Sequence, residues 1–365
     1  MNIQTLRDPI IAVDPERIFD ESISPLTRLS IMSSREFEDI TALWLKESIN
    51  IRYSNIAQIG GSKDAGRDIV AYAIDDPKSF DVYQCKHYKN PLVPSQYWVE
   101  FGKLCYHTFV QRYGRPSAYY IVASNGIGDN LRYYIEHSAE INNALLNAWP
   151  KHCGKKKQIV DDGIQLTTEL EEYIKAFDFS IVQEITPLRL LHESENTKWY
   201  KYYFGGGLKQ RHPVQFPLDD VDAGEETLPY VSQLLKVYSE SVESEIDNID
   251  TLRTHPQWMR HLRHQRHSYF SAQQLARFAR DELLDDTAYT QIKTEVNYAV
   301  EFPLRQVHPK AIDRVDQALA SARSLRINNP ILRAVNTLDT CGMCHELVND
   351  GEIKWYEKEK TDTAI

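Results

Sequence analysis

Gly60-Gly-Ser-Lys-Asp-Ala-Gly-Arg-Asp68-Ile-Val-Ala-Tyr-Ala-Ile74, followed after an Asp-Asp-Pro-Lys-Ser turn by Phe80-Asp-Val-Tyr-Gln-Cys-Lys86, is the stretch on which the fold turns. β-branched and aromatic residues on both sides of a Pro-containing turn predict two strands of a hairpin. Side chains alternate along a strand, so Gln84 and Lys86, two residues apart, share a face, and Asp68 at the start of the first strand can join them. Upstream, Ser33 and Glu36 form a capping box that opens a helix carrying Phe37, Ile40 and Trp44 at helical spacing, and the β-prone stretch from Ile51 to Ile59 follows it. Downstream, Pro94 suits the first turn of a helix running to about Arg112, and Ala118-Tyr-Tyr-Ile-Val-Ala123 reads as a buried strand. The expected N-terminal core is therefore α/β, in the order α-β-β-β-α-β, on a mixed sheet.

A carboxylate, a carboxamide and an ammonium that converge on one face suit the hydrolysis of phosphodiesters. A hard cation such as Mg²⁺, with Mn²⁺ as a possible substitute, takes carboxylates and carbonyls, activates water and offsets charge growing on phosphate oxygens. In this reading Asp68 ligates the metal, the backbone carbonyl of Cys85 is a second ligand, Gln84 completes the polar face and Lys86 orients the attacking water. Glu38, in the first turns of the leading helix, is expected as a second acidic ligand or a water-holding group. Glu36 and Asp39 compete for that role, but Glu36 has its capping task and Asp39 lies about 100° further round the helix. Asp64 is an alternative to Asp68.

Composition narrows the class. Hydrophobic residues at 42% and charged residues at 26% match ordinary globular chains and argue against a largely disordered, collagen-like or disulfide-stapled protein. The first twenty residues scatter Arg7, Asp8, Asp14, Glu16 and Arg17 among short apolar groups, which predicts neither a signal peptide nor a membrane segment. Cys85, Cys105, Cys153, Cys341 and Cys344 fit no disulfide scaffold, so a reducing, cytoplasmic location is expected. The net charge of -10 is concentrated between Asp219 and Asp250, where acids face Lys236 alone. From Gln84 to Ser117, by contrast, Lys86, Lys89, Lys103, Arg112 and Arg115 face only Glu100, an excess that attracts phosphates. Lys63, Arg67, Lys89 and Lys103 are the expected contacts to double-stranded DNA.

Beyond Asp129 the pattern turns helical, with few strand signals. A chain of 365 residues favours two domains, here expected as 1–175 and a mainly helical 176–365. Ser271 and Gln274 read as a second capping box, opening a helix with Leu275, Phe278, Ala279 and Leu283 on one face. Cys341-Gly-Met-Cys344-His345 has the spacing of haem attachment or half a zinc site, yet without export or a second ligand pair it reads as a buried helix start holding small thiols. His255, His261, His264 and His267 interleave with Arg260, Arg263 and Arg266, a pattern best read as a solvated basic helix. The tail after Tyr356 is polar.

Two resemblances add to this reading. Phe37-Glu38, the approach from Gly60 to Asp68-Ile and Tyr83-Gln-Cys-Lys-His-Tyr88 resemble the Mrr-type nucleases of the PD-(D/E)xK class, in which an Asp is paired with Gln-x-Lys. That resemblance implies a restriction-endonuclease-like fold and tolerance of glutamine at 84 in place of the commoner acid. Trp199-Tyr-Lys-Tyr-Tyr-Phe-Gly-Gly-Gly207, the helix from Tyr269 to Asp281 and Cys344-His-Glu-Leu-Val-Asn349 resemble the C-terminal region of nuclease subunits in ABC-three-component, or Lamassu, anti-phage systems. This implies a bacterial defence effector held by an SMC-like ATPase and a third small subunit, cleaving double-stranded DNA as a homo-oligomer when active. Two rivals follow from the residues: a non-catalytic adaptor, suggested by Gln84, and a hydrolase acting on RNA.

Overall fold

A computed structural model describes residues 14–59, 65–211, 221 and 223–357, with the backbone of Gln4–Thr5. The chain divides into two compact units, Met1–Gly207 and Leu208–Ile365. The first contains β1 (Gln4–Thr5), α1 (Pro15–Phe19), α2 (Pro25–Ile31), α3 (Ser34–Ser48), β2 (Tyr53–Gln58), β3 (Ile69–Ala73), β4 (Phe80–Lys86), α4 (Pro94–Phe109) and β5 (Ala118–Ala123). It continues with α5 (Asp129–Glu136), α6 (Ile141–His152), α7 (Thr168–Ala176), β6 (Val182–Ile185), α8 (Pro187–Ser194) and α9 (Tyr200–Phe204).

The strands form one sheet in chain order, β1 to β6. Pairing is antiparallel from β1 to β4 and parallel from β4 through β6, so the sheet is mixed and the expected α-β-β-β-α-β order is present as α3-β2-β3-β4-α4-β5. The capping box at Ser33 closes as expected: its hydroxyl accepts from the Glu36 N–H at 3.2 Å, and the Glu36 carboxylate accepts from the Ser33 N–H at 2.8 Å. This fixes where α3 starts and therefore which residues face the sheet. Phe37, Ile40 and Trp44 are buried, and Trp44 meets Tyr83 of β4 edge-on at 6.0 Å. α4 covers the opposite face, where Tyr97, Phe101 and Leu104 join Val70 and Val82 in one core. β4 is thus sandwiched, which is why Phe80-Asp-Val-Tyr-Gln-Cys-Lys86 carries apolar side chains on both faces.

Two expectations are corrected. The N-terminal unit extends to Gly207 rather than 175, because β6 pairs in parallel with β5 and α8 returns to α3, where Trp44 Nε1 donates to Glu193 Oε2 at 2.9 Å. β6 escaped the sequence reading because Val-Gln-Glu-Ile is only a single short alternation. The second capping box does not start a helix either.

The second unit is helical: α10 (Ala223–Glu226), α11 (Pro229–Val242), α12 (Ile249–Arg253), α13 (Pro256–Glu282), α14 (Thr287–Arg305), α15 (Ala311–Ser324) and α16 (Thr337–Asn349). Ser271 lies in the middle of α13, fully buried, where its hydroxyl donates to Asp339 Oδ1 at 2.6 Å. Asp339 is also gripped by Arg211, whose two terminal nitrogens donate at 2.7 and 2.8 Å. A helix former run past Ser271 wins because its hydroxyl has this partner and does not compete for backbone N–H groups. The core of the unit gathers around α16, whose residues from Asp339 to Val348 are all buried. Among the described residues no helix is long and apolar enough to cross a membrane.

α13 and α16 approach backbone to backbone at Gly342, where a Cβ atom would stand 2.0 Å from the Ser268 carbonyl oxygen. Gly342→Ala should therefore force the helices apart and destabilise the helical unit by about 3 kcal/mol, the upper end of what overpacking typically costs. Chemical denaturation followed by circular dichroism measures this, and an unchanged midpoint would contradict the packing.

Candidate functional site

The site is set by strand register. Ile69 faces Tyr83 in the antiparallel β3–β4 ladder, so the next residue outward, Asp68, faces Gln84. Gln84 Nε2 donates to Asp68 Oδ2 at 2.7 Å, and the Cys85 N–H donates to the same oxygen at 2.7 Å. The opposite orientation of the amide would set its oxygen against a carboxylate, so the donor must face Asp68. Gln84 Oε1 is then buried with no hydrogen-bond partner among the described residues. In a strand the N–H and C=O of one residue point to the same side. The Cys85 carbonyl therefore opens on the Asp68 side, beyond the last β3–β4 pair.

A cleft of about 370 Å³ lies over this strand end. Glu38, Asp68, Gln84, Cys85, Lys86 and Lys103 line it together. Glu38 reaches it from α3, which is held near by Phe37 packing on His87 at 5.9 Å. Its two competitors are occupied elsewhere: Glu36 closes the capping box, and Asp39 accepts from Gln58 Nε2 at 3.3 Å. Asp64 and Lys63 lie outside the described residues.

Lys86 stands on the same side as Asp68 but bonds to a residue the sequence reading did not place in the site. Its ammonium donates to Glu100 Oε1 at 2.9 Å, and Lys103 donates to the same oxygen at 3.1 Å. Burial works against the Lys86 charge, but Glu100, and more weakly Asp68, outweigh it and raise the ammonium above its usual range. Burial likewise opposes the Glu100 charge, yet Lys86 and Lys103 hold the carboxyl below the usual carboxylate range. Burial and the nearby Asp68 charge push the Cys85 thiol well up, which keeps it neutral. In the sequence Glu100 stood out only as the lone acid in a basic stretch; its spacing of three from Lys103 on a helix was the available signal.

The expected DNA contacts divide. Lys89 is exposed and Lys103 lines the cleft. Arg67 is corrected: it is buried, with its guanidinium 3.9 Å above the Tyr113 ring, so it braces the approach to Asp68 instead of facing solvent. Tyr113 adds a hydrogen bond to the Ala65 carbonyl at 3.1 Å, and Gly66, at φ +78°, lies so close to Lys103 that a Cβ would come within 3.0 Å of it. Ala65, Gly66 and Arg67, just before Asp68, are thus held by α4 and the segment after it.

The residues that line the cleft carry hard oxygens: the carboxylates of Asp68 and Glu38, the Cys85 carbonyl and the buried Gln84 Oε1. That set fits a hard divalent cation, and the orphaned amide oxygen is the specific observation in favour of one. Among the described residues no three His, Cys, Asp or Glu side chains gather to hold a metal, so the neutral oxygens are essential to the fit.

Residues 227–355, about a third of the chain, match the family model of C-terminal domain 6 of the ABC-three component (ABC-3C) systems. The match supports membership of such a system. No curated protein and no solved structure matches the chain.

Within the matched residues the sequence motifs find structural explanations. Cys341, Cys344 and His345 are buried in α16, in the middle of a helix rather than at its start. His345 Nε2 faces Gln265 Oε1 at 3.2 Å, and Trp355 Nε1 donates to His345 Nδ1 at 3.2 Å. The ring is a satisfied core group. The basic stretch of α13 is only partly solvated: Arg260 and Arg263 are exposed, while Arg266 is buried and grips both oxygens of Glu225 at 2.6 and 2.9 Å. Arginines three apart drift round a 3.6-residue helix, so the third has turned onto the inner face.

Two predictions follow from these contacts. Gln84→Glu replaces the donor with a second carboxylate beside Asp68, so the metal-free protein should melt at lower temperature and recover more on adding Mg²⁺ than the wild type. Equal Mg²⁺ shifts by calorimetry would count against a cation at this point. Burial, with His261 and Arg323, pushes His345 down to about 3, against 6.5 for an unburied ring. The unfolded chain therefore binds a proton that the folded domain refuses, so this stability is full above pH 6.5 and is lost as pH falls from there towards 3. His345→Gln should flatten the fall, measured as denaturation midpoints between pH 7 and 4.

Proposed function

We propose that the N-terminal unit is a restriction-endonuclease-like, divalent-cation-dependent endonuclease that hydrolyses phosphodiester bonds of double-stranded DNA, and that the chain is the effector of an ABC-three component defence system. The observation that carries this reading is the register that sets Asp68 opposite Gln84, with Lys86 and Glu38 lining the same cleft. In the proposed reaction Asp68, Glu38, the Cys85 carbonyl and Gln84 Oε1 would hold Mg²⁺, or Mn²⁺ in its place. Gln84 fixes the Asp68 carboxylate through its amide donor, Cys85 does the same through its N–H, and Lys86 keeps an ammonium at the cleft for the attacking water or the scissile phosphate. Lys89 and Lys103 would meet neighbouring phosphates.

The helical unit carries the control. The proposed partners are an SMC-like ATPase and a third small subunit, with self-association of the effector on activation, all in the cytoplasm. The match of residues 227–355 supports the system, and the resemblance read from the sequence suggests the partners.

The specific observation favouring a second reading, a catalytically silent adaptor, is that Gln84 and Cys85 already satisfy Asp68 Oδ2 without a cation. Cleavage of supercoiled plasmid in Mg²⁺, with and without the partner subunits, separates the two. Asp68→Ala and Lys86→Ala should each lower cutting by roughly 10²–10³-fold, the loss typical of removing one electrostatic group from a hydrolytic site, while leaving folding and partner binding intact. Cleavage that survives both changes would falsify the assigned site, and wild-type DNA binding without cutting in either Mg²⁺ or Mn²⁺ would favour the adaptor. Labelled duplex RNA in the same assay tests the substrate class.

A further inference from the structure

Glu100 is a carboxylate with an unusual setting. It sits on α4 with 4% of its surface exposed, one oxygen taking two ammonium groups and the other, Oε2, buried with no hydrogen-bond partner among the described residues. An internal salt bridge made for stability needs one lysine, and its desolvation penalty makes it a poor stabiliser even then. Here there are two, and both line the cleft. Because Lys86 and Lys103 bond to the same oxygen, their ammonium groups can lie no further apart than the two bonds laid end to end. Two positive charges that close repel each other unless an anion sits with them. Glu100 is that anion on the protein side. One carboxylate between two ammonium groups leaves this trio with a net single positive charge, equal and opposite to that of a phosphodiester, on a cleft that also carries the carboxylates of Asp68 and Glu38.

We propose that Glu100 is a positioning residue that fastens Lys86 and Lys103 side by side as a cradle for one phosphodiester group of the substrate. The inference rests on reading the cleft as a phosphodiester site, and adds to it a residue with no chemistry of its own and a shared task for two lysines. A purely structural Glu100 leaves a different signature. Removing a negative charge from beside the cleft should, by charge alone, tighten the grip on DNA; if Glu100 instead gathers the lysines, the grip must loosen.

The experiment uses the full chain, free of metal in EDTA, and a short labelled DNA duplex, with fluorescence anisotropy measured over a range of salt concentrations. For duplex DNA the logarithm of the binding constant falls with the logarithm of salt by about 0.9 for each phosphate contact. Glu100→Gln should weaken binding and reduce that slope by about one contact, roughly 0.9. Lys103→Met should do the same. The double variant Lys86→Met/Lys103→Met should lose about one contact and not two, because both lysines hold the same phosphate, and this arm stands even if Glu100→Gln does not fold. Tighter or unchanged binding by folded Glu100→Gln, or a loss of about two contacts in the double variant, roughly 1.8 in slope, overturns the cradle. The outcomes also separate from those of the nuclease reading: DNA held with the expected slopes but never cut sinks the nuclease and keeps the cradle, while cutting with unaltered slopes does the reverse.

Discussion

The pairing of Ile69 with Tyr83 is the constraint on which the N-terminal unit depends. Side chains alternate with a period of two, so a slip of one residue in β4 would turn Gln84 and Lys86 towards α3 and set Cys85 opposite Asp68. The register is held from both faces. Tyr83 packs against Trp44 on one side, and Val82 packs into the α4 core on the other. The Cys85 N–H, left over where the ladder stops, is taken by Asp68 itself, so the last rung of the sheet is closed by the candidate ligand's own side chain. Fold and site are fixed by the same few contacts.

Much of this was legible in the sequence because the signals are local and physical. Ser33 and Glu36 marked the start of α3, the Asp-Asp-Pro-Lys-Ser turn marked the hairpin, and the spacing of Gln84 and Lys86 fixed their common face. β5 begins and ends where Ala118-Tyr-Tyr-Ile-Val-Ala123 suggests. What stayed hidden depends on partners far along the chain. Glu100 could not be linked to Lys86 without knowing that α4 crosses over β4, and Arg67 could not be told from a surface cation without Tyr113 beneath it. Ser271 shows the opposite failure: a pattern that caps a helix in isolation is overridden by a buried hydrogen bond to Asp339.

The two units handle buried charge in contrasting ways. In the cleft, Glu100 keeps one oxygen without a partner and holds cations that remain partly open to solvent. In the helical unit, both oxygens of Asp339 accept from Arg211, Ser271 and the cap at Asn336, although Arg211 Nε is itself buried without a partner among the described residues, and Glu346 is met by Gln273, Tyr289 and Lys293. Satisfied networks rigidify a core, and a buried polar atom left over is costly.

The glycine contact between α13 and α16 gives that second unit a mechanical property. With the Gly342 backbone lying directly against the Ser268 carbonyl, there is no side chain at the crossing that could change rotamer to let one helix slip past its neighbour. Sliding either helix along the other would bring a side chain against backbone at this point, so the crossing fixes the register of the 27-residue α13 against α16.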